Sequence, residues 1–308
     1  APAVMSSATQ GNLVYQPTFE YKSTGQWKGF LKAYSINQST NSASLIWEAG
    51  SKLSALDPAT RNLWTVGNGL QNLPNPYKNF TESNVTFLRS LLNPAWNSSA
   101  SDAVARLLVR FIQGYDIYTE VSGSTAGRRW ALGDIYNSKP IYVGAPIGRV
   151  TDDPNTVGVI GYFDQISPGT YKNFISNQSL RQPILLAGSN TGVLHAFDPS
   201  SDPSLGGREL WGFLPPPILD KLITMTPTVA NGPSQARHMI DGSITARDIF
   251  VNGQWRTYAA FTYGLGARAL TVLDITNTTQ PTHVFSIENQ LTQVKFWDAN
   301  GNISYPNH

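Results

Sequence analysis

The chain has 308 residues, no cysteine, 22 Lys+Arg against 20 Asp+Glu, and only 14% charged residues. The missing thiols exclude disulfides, thiolate zinc sites and a cysteine nucleophile, and without a basic stripe nucleic acid is not an expected partner. No stretch approaches the roughly 20 apolar residues of a membrane helix, while 26 Gly, 20 Pro, 8 Trp, 13 Tyr and 13 Phe read as many short strands joined by turns.

In chain order, residues 29–34 (GFLKAY) are the first strand-like run. Residues 85–92 predict a short helix. Ser101-Asp102 caps a second helix, with Val104, Leu107, Leu108 and Phe111 on one face and Gly114 as its stop. Strands follow at 140–143, 183–187 and 193–197. Pro216-Pro217 opens a third helical segment through Ile218, Leu219 and Leu222, since proline is accommodated at the first helical position. Further strands fall at 248–251, 257–261 and 270–275. Asn252-Gly253 is a hairpin turn, because both residues tolerate positive φ, and Asn300-Gly301 is another. The helices are inserts on a β scaffold.

A weak repeat runs through these elements. WKGFLKAY (27–34) leads through a polar loop to LIWEA (45–49), GVLHAFD (192–198) to ELWG (209–212), and ALTVLD (269–274) to HVF (283–285). Each unit is a strand ending in a turn, then a loop, then a strand with a large aromatic. Such units bury their faces only by stacking on neighbours, which is the signature of a β-propeller. The expected fold is one all-β propeller domain over 1–308, with blade-like units near 27–50, 183–214 and 248–288. Helical or loop inserts are expected near 74–116 and 147–179.

Candidate chemistry is sparse. The four histidines, His195, His238, His283 and His308, form no ligand pair. His195 shares a strand face with Val193 and Phe197 and is expected to be scaffold, donating to a backbone carbonyl. Asp198 is expected to accept backbone N–H bonds in the turn that follows. Gly264-Leu265-Gly266-Ala267-Arg268-Ala269 matches G-x-G-x-x-A, but a strand follows it where a dinucleotide site needs a helix, so close backbone approach is the expected role. Asp152-Asp153 reads as a solvated turn. Asp298-x-Asn300-x-Asn302 reads as a hairpin rather than a calcium loop, lacking glycine at the sixth position. No G-x-S-x-G elbow is present. No catalytic, metal or cofactor residue is expected.

Several ordered motifs resemble those of the PilY/PilC family, the type IV pilus assembly proteins and tip adhesins. They are GSNTGVLHAFD (188–198), LGDIYNSKP (132–140) with VGAP (143–146) after it, ELWGFLP (209–215), RHMIDGS (237–243), and Trp255, Gly264, Gly266 and LDIT (273–276). WKGFLKAY also fits the family's propeller opening. The signature positions are Trp27, Gly29, Gly133, Asp134, Gly144, Gly192, His195, Phe197, Asp198, Trp211, Asp241, Gly242, Trp255, Gly264, Gly266 and Asp274. The resemblance implies a modified β-propeller, similar to those of quinoprotein dehydrogenases. It implies a non-enzymatic role in pilus extension, adhesion and twitching motility, with minor pilins and surface receptors as partners. The implied location is the bacterial cell surface at the pilus tip, reached through the periplasm and outer membrane. The family's calcium loop has no match here and the chain stops where the family's propeller continues, so the propeller is expected to be truncated or to have its remaining blades in a separate chain; Ala1-Pro2 has no charged or apolar leader, so a mature form or an excised fragment is expected. No cofactor is expected in it. A quinone-dependent dehydrogenase and a glycan-binding propeller are the alternatives.

Overall fold

The computed structural model describes residues 3–4, 7–118, 127–147, 170–229 and 232–306. Three β-sheets dominate it. The first contains β1 (Ala3–Val4), β2 (Ala8–Gln10), β3 (Leu13–Glu20), β4 (Lys28–Asn37) and β5 (Ser42–Glu48), all antiparallel, in the order β1-β3-β4-β5 with β2 also on β3. The second contains β6 (Leu63–Trp64), β7 (Ile141–Val143), β8 (Ile184–Gly188), β9 (Leu194–Phe197) and β10 (Glu209–Phe213), in the order β6-β10-β9-β8-β7. There β6 runs parallel to β10 and the other pairs are antiparallel. The third is a meander of β11 (Ile244–Val251), β12 (Gln254–Thr262), β13 (Ala269–Asp274), β14 (Thr282–Asn289), β15 (Val294–Trp297) and β16 (Ile303–Ser304). No sheet closes on itself among the described residues.

The side-chain period explains which sheet sits where. Along β12, Trp255, Thr257, Ala259 and Phe261 are buried and the residues between them are not, as expected of a strand with one covered face. Along β8 and β9 every residue is buried. Ile184, Leu186, Leu194 and Ala196 join a large core with Ala259, Phe261 and Leu273 of the third sheet. Their alternates Leu185, Ala187 and Phe197 join a second core with Tyr15, Leu31, Ala33 and Trp47 of the first. The middle sheet is therefore covered on both faces, which is why its strands read as unbroken apolar runs.

Among the described residues the α-helices are α1 (Ala49–Ala55), α2 (Val85–Leu92), α3 (Asp102–Gln113) and α4 (Thr170–Asn177), joined by short 3₁₀ turns and a longer 3₁₀ segment at Pro216–Met225. Gly114 ends α3 with φ of 115°, and its N–H bonds the carbonyls of Arg110 and Phe111. The predicted apolar face of α3 is corrected. Leu108 and Phe111 are buried, but Val104 and Leu107 are 46% and 42% exposed, and Ala105, Val109 and Ile112 complete the inward stripe. Arg106 donates to the Glu82 carbonyl at 2.9 Å and Arg110 approaches the Glu82 carboxylate at 3.6 Å, in keeping with that rotation of the helix. The Asn252-Gly253 turn has φ of 51° and 76°, as a two-residue hairpin needs. In the β15–β16 turn the Asp298 carboxylate accepts from the N–H groups of Asn300 and Asn302 and from Asn302 Nδ2, so its oxygens serve the turn. Residues 148–169 of the expected 147–179 insert, with Asp152-Asp153, lie outside the described residues, as does His308.

Candidate functional site

Residues 129–140 run between the sheets and carry the first constellation. Gly29 N–H donates to the Leu132 carbonyl at 2.9 Å, and Trp130 Nε1 donates to the Gly29 carbonyl at 2.8 Å. A Cβ on Gly29 would overlap the Gly133 carbonyl, and one on Gly133 would stand 2.7 Å from the Thr191 nitrogen. Beyond this contact Asp134 meets Asn190. The Asp134 carboxyl accepts from Asn190 Nδ2 at 2.7 Å, and its carbonyl accepts from Asn190 N at 3.0 Å. Asn190 Oδ1 in turn accepts from Met239 N at 2.9 Å. Asp241 accepts from Asn137 N and Nδ2 at 2.9 and 2.7 Å and lies 3.2 Å from His238 Nδ1. Gly264 and Gly266 press on the backbone of Asp241 and Met239, and Gly242 on that of Thr262. Gly29, Gly133, Asp134, Asp241, Gly242, Gly264 and Gly266 thus converge where the three sheets meet. Burial pushes the Asp134 carboxyl up to about 6, with Asp241 adding to the rise and Asn190 opposing it.

A second constellation lies within the middle sheet. Ser189 Oγ is 2.9 Å from His195 Nε2, His195 Nδ1 is 2.7 Å from Glu209 Oε1, and Arg61 donates to both Glu209 oxygens at 2.7 and 2.8 Å. The expected backbone partner of His195 is corrected: a carboxylate and a hydroxyl hold its ring. The ring stacks on Phe197 at 5.3 Å, on the face foreseen for it. Hydroxyl, imidazole and carboxylate in this order have the connectivity of a nucleophile, its base and an orienting acid. Yet Ser189 and His195 have no exposed surface. Ser189 Oγ also meets Thr191 Oγ1 at 2.7 Å. Burial lowers the His195 pKa against the opposing pull of Glu209. Burial pushes the Glu209 carboxyl up, but Arg61 and His195 outweigh it and hold it down at about 2. The array is a bridge: the Arg61 guanidinium also donates to the Ile112 and Gln113 carbonyls at the end of α3, tying that helix to the sheet.

The other signature residues serve separate contacts. Asp198 accepts from Ser200 N at 2.9 Å, as foreseen. Trp211 Nε1 donates to the Thr278 carbonyl in the loop between β13 and β14. Gly192, with φ of 81°, abuts Leu222 and Ile218. The Gly144 carbonyl accepts from Arg181 Nε at 3.0 Å. Trp255 Nε1 donates to Thr170 Oγ1, and Asp274 accepts from Thr276 N. His283 is buried on β14, 2.8 Å from Ser286 Oγ, and burial lowers its pKa to about 4. Among the described residues no three His, Asp or Glu side chains converge to hold a metal ion, and no helix is long and apolar enough to cross a membrane.

Outside the junction lies an aromatic surface. Trp27, half-buried, stacks on Phe19 at 5.3 Å and meets Tyr21 and Tyr136 edge-on at 5.2 and 6.4 Å. Tyr136 continues to His238 at 6.5 Å. Tyr21 is 65% exposed and Tyr136 36%. Three chain segments therefore present one aromatic face to solvent, backed by the Asn137–Asp241 bonds.

No protein-family model matches the chain. It is 28% identical over 271 residues to the type IV pilus biogenesis factor PilY1 homolog of Xylella fastidiosa, covering 87% of this chain and 19% of that protein. It is 29% identical over 283 residues to the type IV pilus biogenesis factor PilY1 of Pseudomonas aeruginosa UCBPP-PA14, covering 89% of this chain and 22% of that protein. Over nearly nine-tenths of its length the chain is similar to PilY1. It spans about a fifth of the length of these PilY1 relatives. The crystal structure of the P. aeruginosa PilY1 C-terminal domain aligns at a TM-score of 0.35 and 19% identity over 53% of this chain and 37% of that one, too distant a likeness to carry a fold argument.

Sequence reasoning found the glycines and aspartates of the junction but not their convergence. It missed Arg61, Glu209 and Ser189 as partners of His195, because Arg61 lies 148 residues from Glu209 and no local motif links them. It also missed Tyr21, at the other end of the β3–β4 turn, and Tyr136, in a distant segment, as companions of Trp27.

Proposed function

We propose that this chain is part of the β-propeller region of a PilY-type pilus-tip protein. It supports type IV pilus assembly and extension, and through them adhesion and twitching motility, by contacts with minor pilins. The similarity to proteins named type IV pilus biogenesis factors, over nearly nine-tenths of the chain, carries this reading. Three successive sheets packed face on face are in keeping with consecutive propeller blades. The reading places the chain at the bacterial cell surface, reached through the periplasm and outer membrane, and gives it no catalytic residue, metal or cofactor of its own. Of its surfaces, the Tyr21–Trp27–Tyr136 face is the best suited to a protein partner. Aromatic side chains supply contact area with little conformational entropy to lose, and a rigid junction holds them. The loop inserts at 74–97, 147–179 and 199–207 would supply variable contacts.

The test is a pull-down of the cognate minor pilins with the wild-type chain and with Tyr21→Ser/Tyr136→Ser. Both positions are exposed, so the variant is expected to fold. Capture by wild type and a loss of about tenfold or more in the variant, as removal of interface anchors gives, supports the reading. Full binding by the variant would move the contact to another face. No capture by wild type would sink the assembly role.

A further inference from the structure

The loop at 199–208, between β9 and β10, forms one wall of a cleft. The other wall is the end of α1, and the floor is the approach to β6 and the start of β10. The cleft has a volume of about 690 Å³, and its lining includes Lys52, Leu53, Leu56, Asn62, Arg208 and Leu210. That volume falls in the range of about 300–1,000 Å³ typical of ligand sites. Its walls are fixed. Trp47 Nε1 donates to the Ser200 carbonyl and Tyr15 Oη to the Pro199 carbonyl, each at 2.8 Å. Lys52 Nζ reaches across to the Pro203 and Gly206 carbonyls at 2.6 Å each, leaving one of its three N–H donors unused. Leu210 falls at a bulge, where the pairing of β10 with β9 shifts between Glu209 and Trp211.

The charge in the cleft is not neutralised at contact distance. Neither Lys52 nor Arg208 has a carboxylate within 4.0 Å among the described residues. Glu209 also lines the cleft, but its carboxylate is buried and bound by Arg61 and His195. Asp198 and Asp202 lie close enough to act on Lys52, yet they bond their own turns through Ser200 N and Ser204 N. Burial and then the neighbouring Arg208 push the Lys52 ammonium below its usual range, as expected of two cations sharing a site. Arg208 is exposed, and its Nε donates to the Leu205 carbonyl. Beside these cations, buried Leu53 and 38% exposed Leu56 supply apolar surface, and Thr60, Asn62 and Ser204 supply hydroxyl and amide groups.

We propose that this cleft captures the C-terminal end of a peptide chain. The α-carboxylate lies between Lys52 and Arg208, and an apolar last side chain lies against Leu53, Leu56 and Leu210. An anion answers the two cations, with Arg208 able to present a planar fork to it. Thr60, Asn62 and Ser204 spend donors within the chain, on the Asp57 and Leu210 carbonyls and the Asp202 carboxylate, and the acceptor oxygens they keep suit the N–H groups of a peptide backbone better than an acyl chain. The site does not depend on the pilus reading, since it rests on the cleft alone.

The test uses the 308-residue chain and a library of short peptides with randomised final residues, in free-acid and C-terminally amidated forms, with dodecanoate as a separate ligand. The expected result is enrichment of free-acid peptides ending in an apolar residue. Affinity should fall about tenfold on amidation and by a similar factor in Arg208→Gln, the scale of losing one charged hydrogen bond. Arg208→Gln leaves the Lys52 bonds to the loop intact, and its fold is checked by circular dichroism. No enrichment, equal binding of the amides, or binding of dodecanoate in preference to every peptide would overturn the proposal. These outcomes are independent of whether minor pilins are captured.

Discussion

Replacing Glu209 by Gln removes one charge from the Arg61–Glu209–His195 bridge and changes almost no volume. The Arg61 and Glu209 side chains are each 1% exposed and share two bonds of 2.7 and 2.8 Å. Arg61 stays in place in the variant, because it also donates to Ile112 and Gln113, so an uncompensated cation remains buried. Breaking a buried pair in this way costs roughly 3–5 kcal/mol, a large share of the roughly 5–15 kcal/mol that holds a typical protein folded. Arg61→Met should cost a similar amount, leaving the carboxylate with His195 alone. The double variant should lose less than the sum by about 2 kcal/mol, because the two side chains touch. Denaturant unfolding at about pH 7.5, followed by tryptophan fluorescence, measures all three. Acid adds a second readout. The folded Glu209 carboxyl sits at about 2 instead of 4.5, so the unfolded chain takes up the proton first as pH falls. Wild type should therefore lose stability from about pH 4.5 downward, and Glu209→Gln should lack that component. A cost below about 1 kcal/mol for Glu209→Gln, or strict additivity in the double variant, would refute the bridge.

Two further perturbations probe the junction. Asp134 titrates at about 6 in the folded chain against an ordinary 3.8, so its neutral form supports folding fully below the lower value and that support is lost as pH rises through the upper one. The shift corresponds to roughly 3 kcal/mol at most. Asp134→Asn keeps an acceptor for Asn190 and stays neutral, so melting curves should show it gaining on wild type between about pH 4 and 6 and running parallel above; a difference independent of pH would count against the buried carboxyl. Gly29→Ala would drive a methyl into the Gly133 carbonyl, where no flexible side chain can yield. A loss of more than about 3 kcal/mol is expected by thermal melting, and a near-neutral effect would show that the sheets do not touch there.

Much of the scaffold was legible because its signals are local. Asn252-Gly253, Gly114 and the alternation along β12 each act through the residue itself or its nearest neighbours. The residues 85–92 helix falls where the pattern puts it. The face of α3 was not legible, because two overlapping stripes satisfy the same spacing, and only the core that receives Ala105, Val109 and Ile112 distinguishes them. The partners of His195 were hidden for a similar reason. Glu209 looked like a strand-edge residue, and only the parallel pairing of β6 with β10 brings Arg61 within reach of it. The aromatic face and the cleft by α1 depend on segments 100 residues or more apart, such as Trp27 with Tyr136 and Lys52 with the carbonyls of Pro203 and Gly206, and no window on the sequence spans them.

Where Gly29 lies on Gly133 and Gly133 on Thr191, the layers are spaced largely by backbone atoms, and elsewhere by buried core side chains, none of them on the outer surface. Their tilt is thus decoupled from the residues displayed on the outside. Tyr21, Tyr136 and the outer loops can be exchanged for other recognition chemistry while the frame beneath keeps its angles, so one skeleton can serve different contacts without being rebuilt for each.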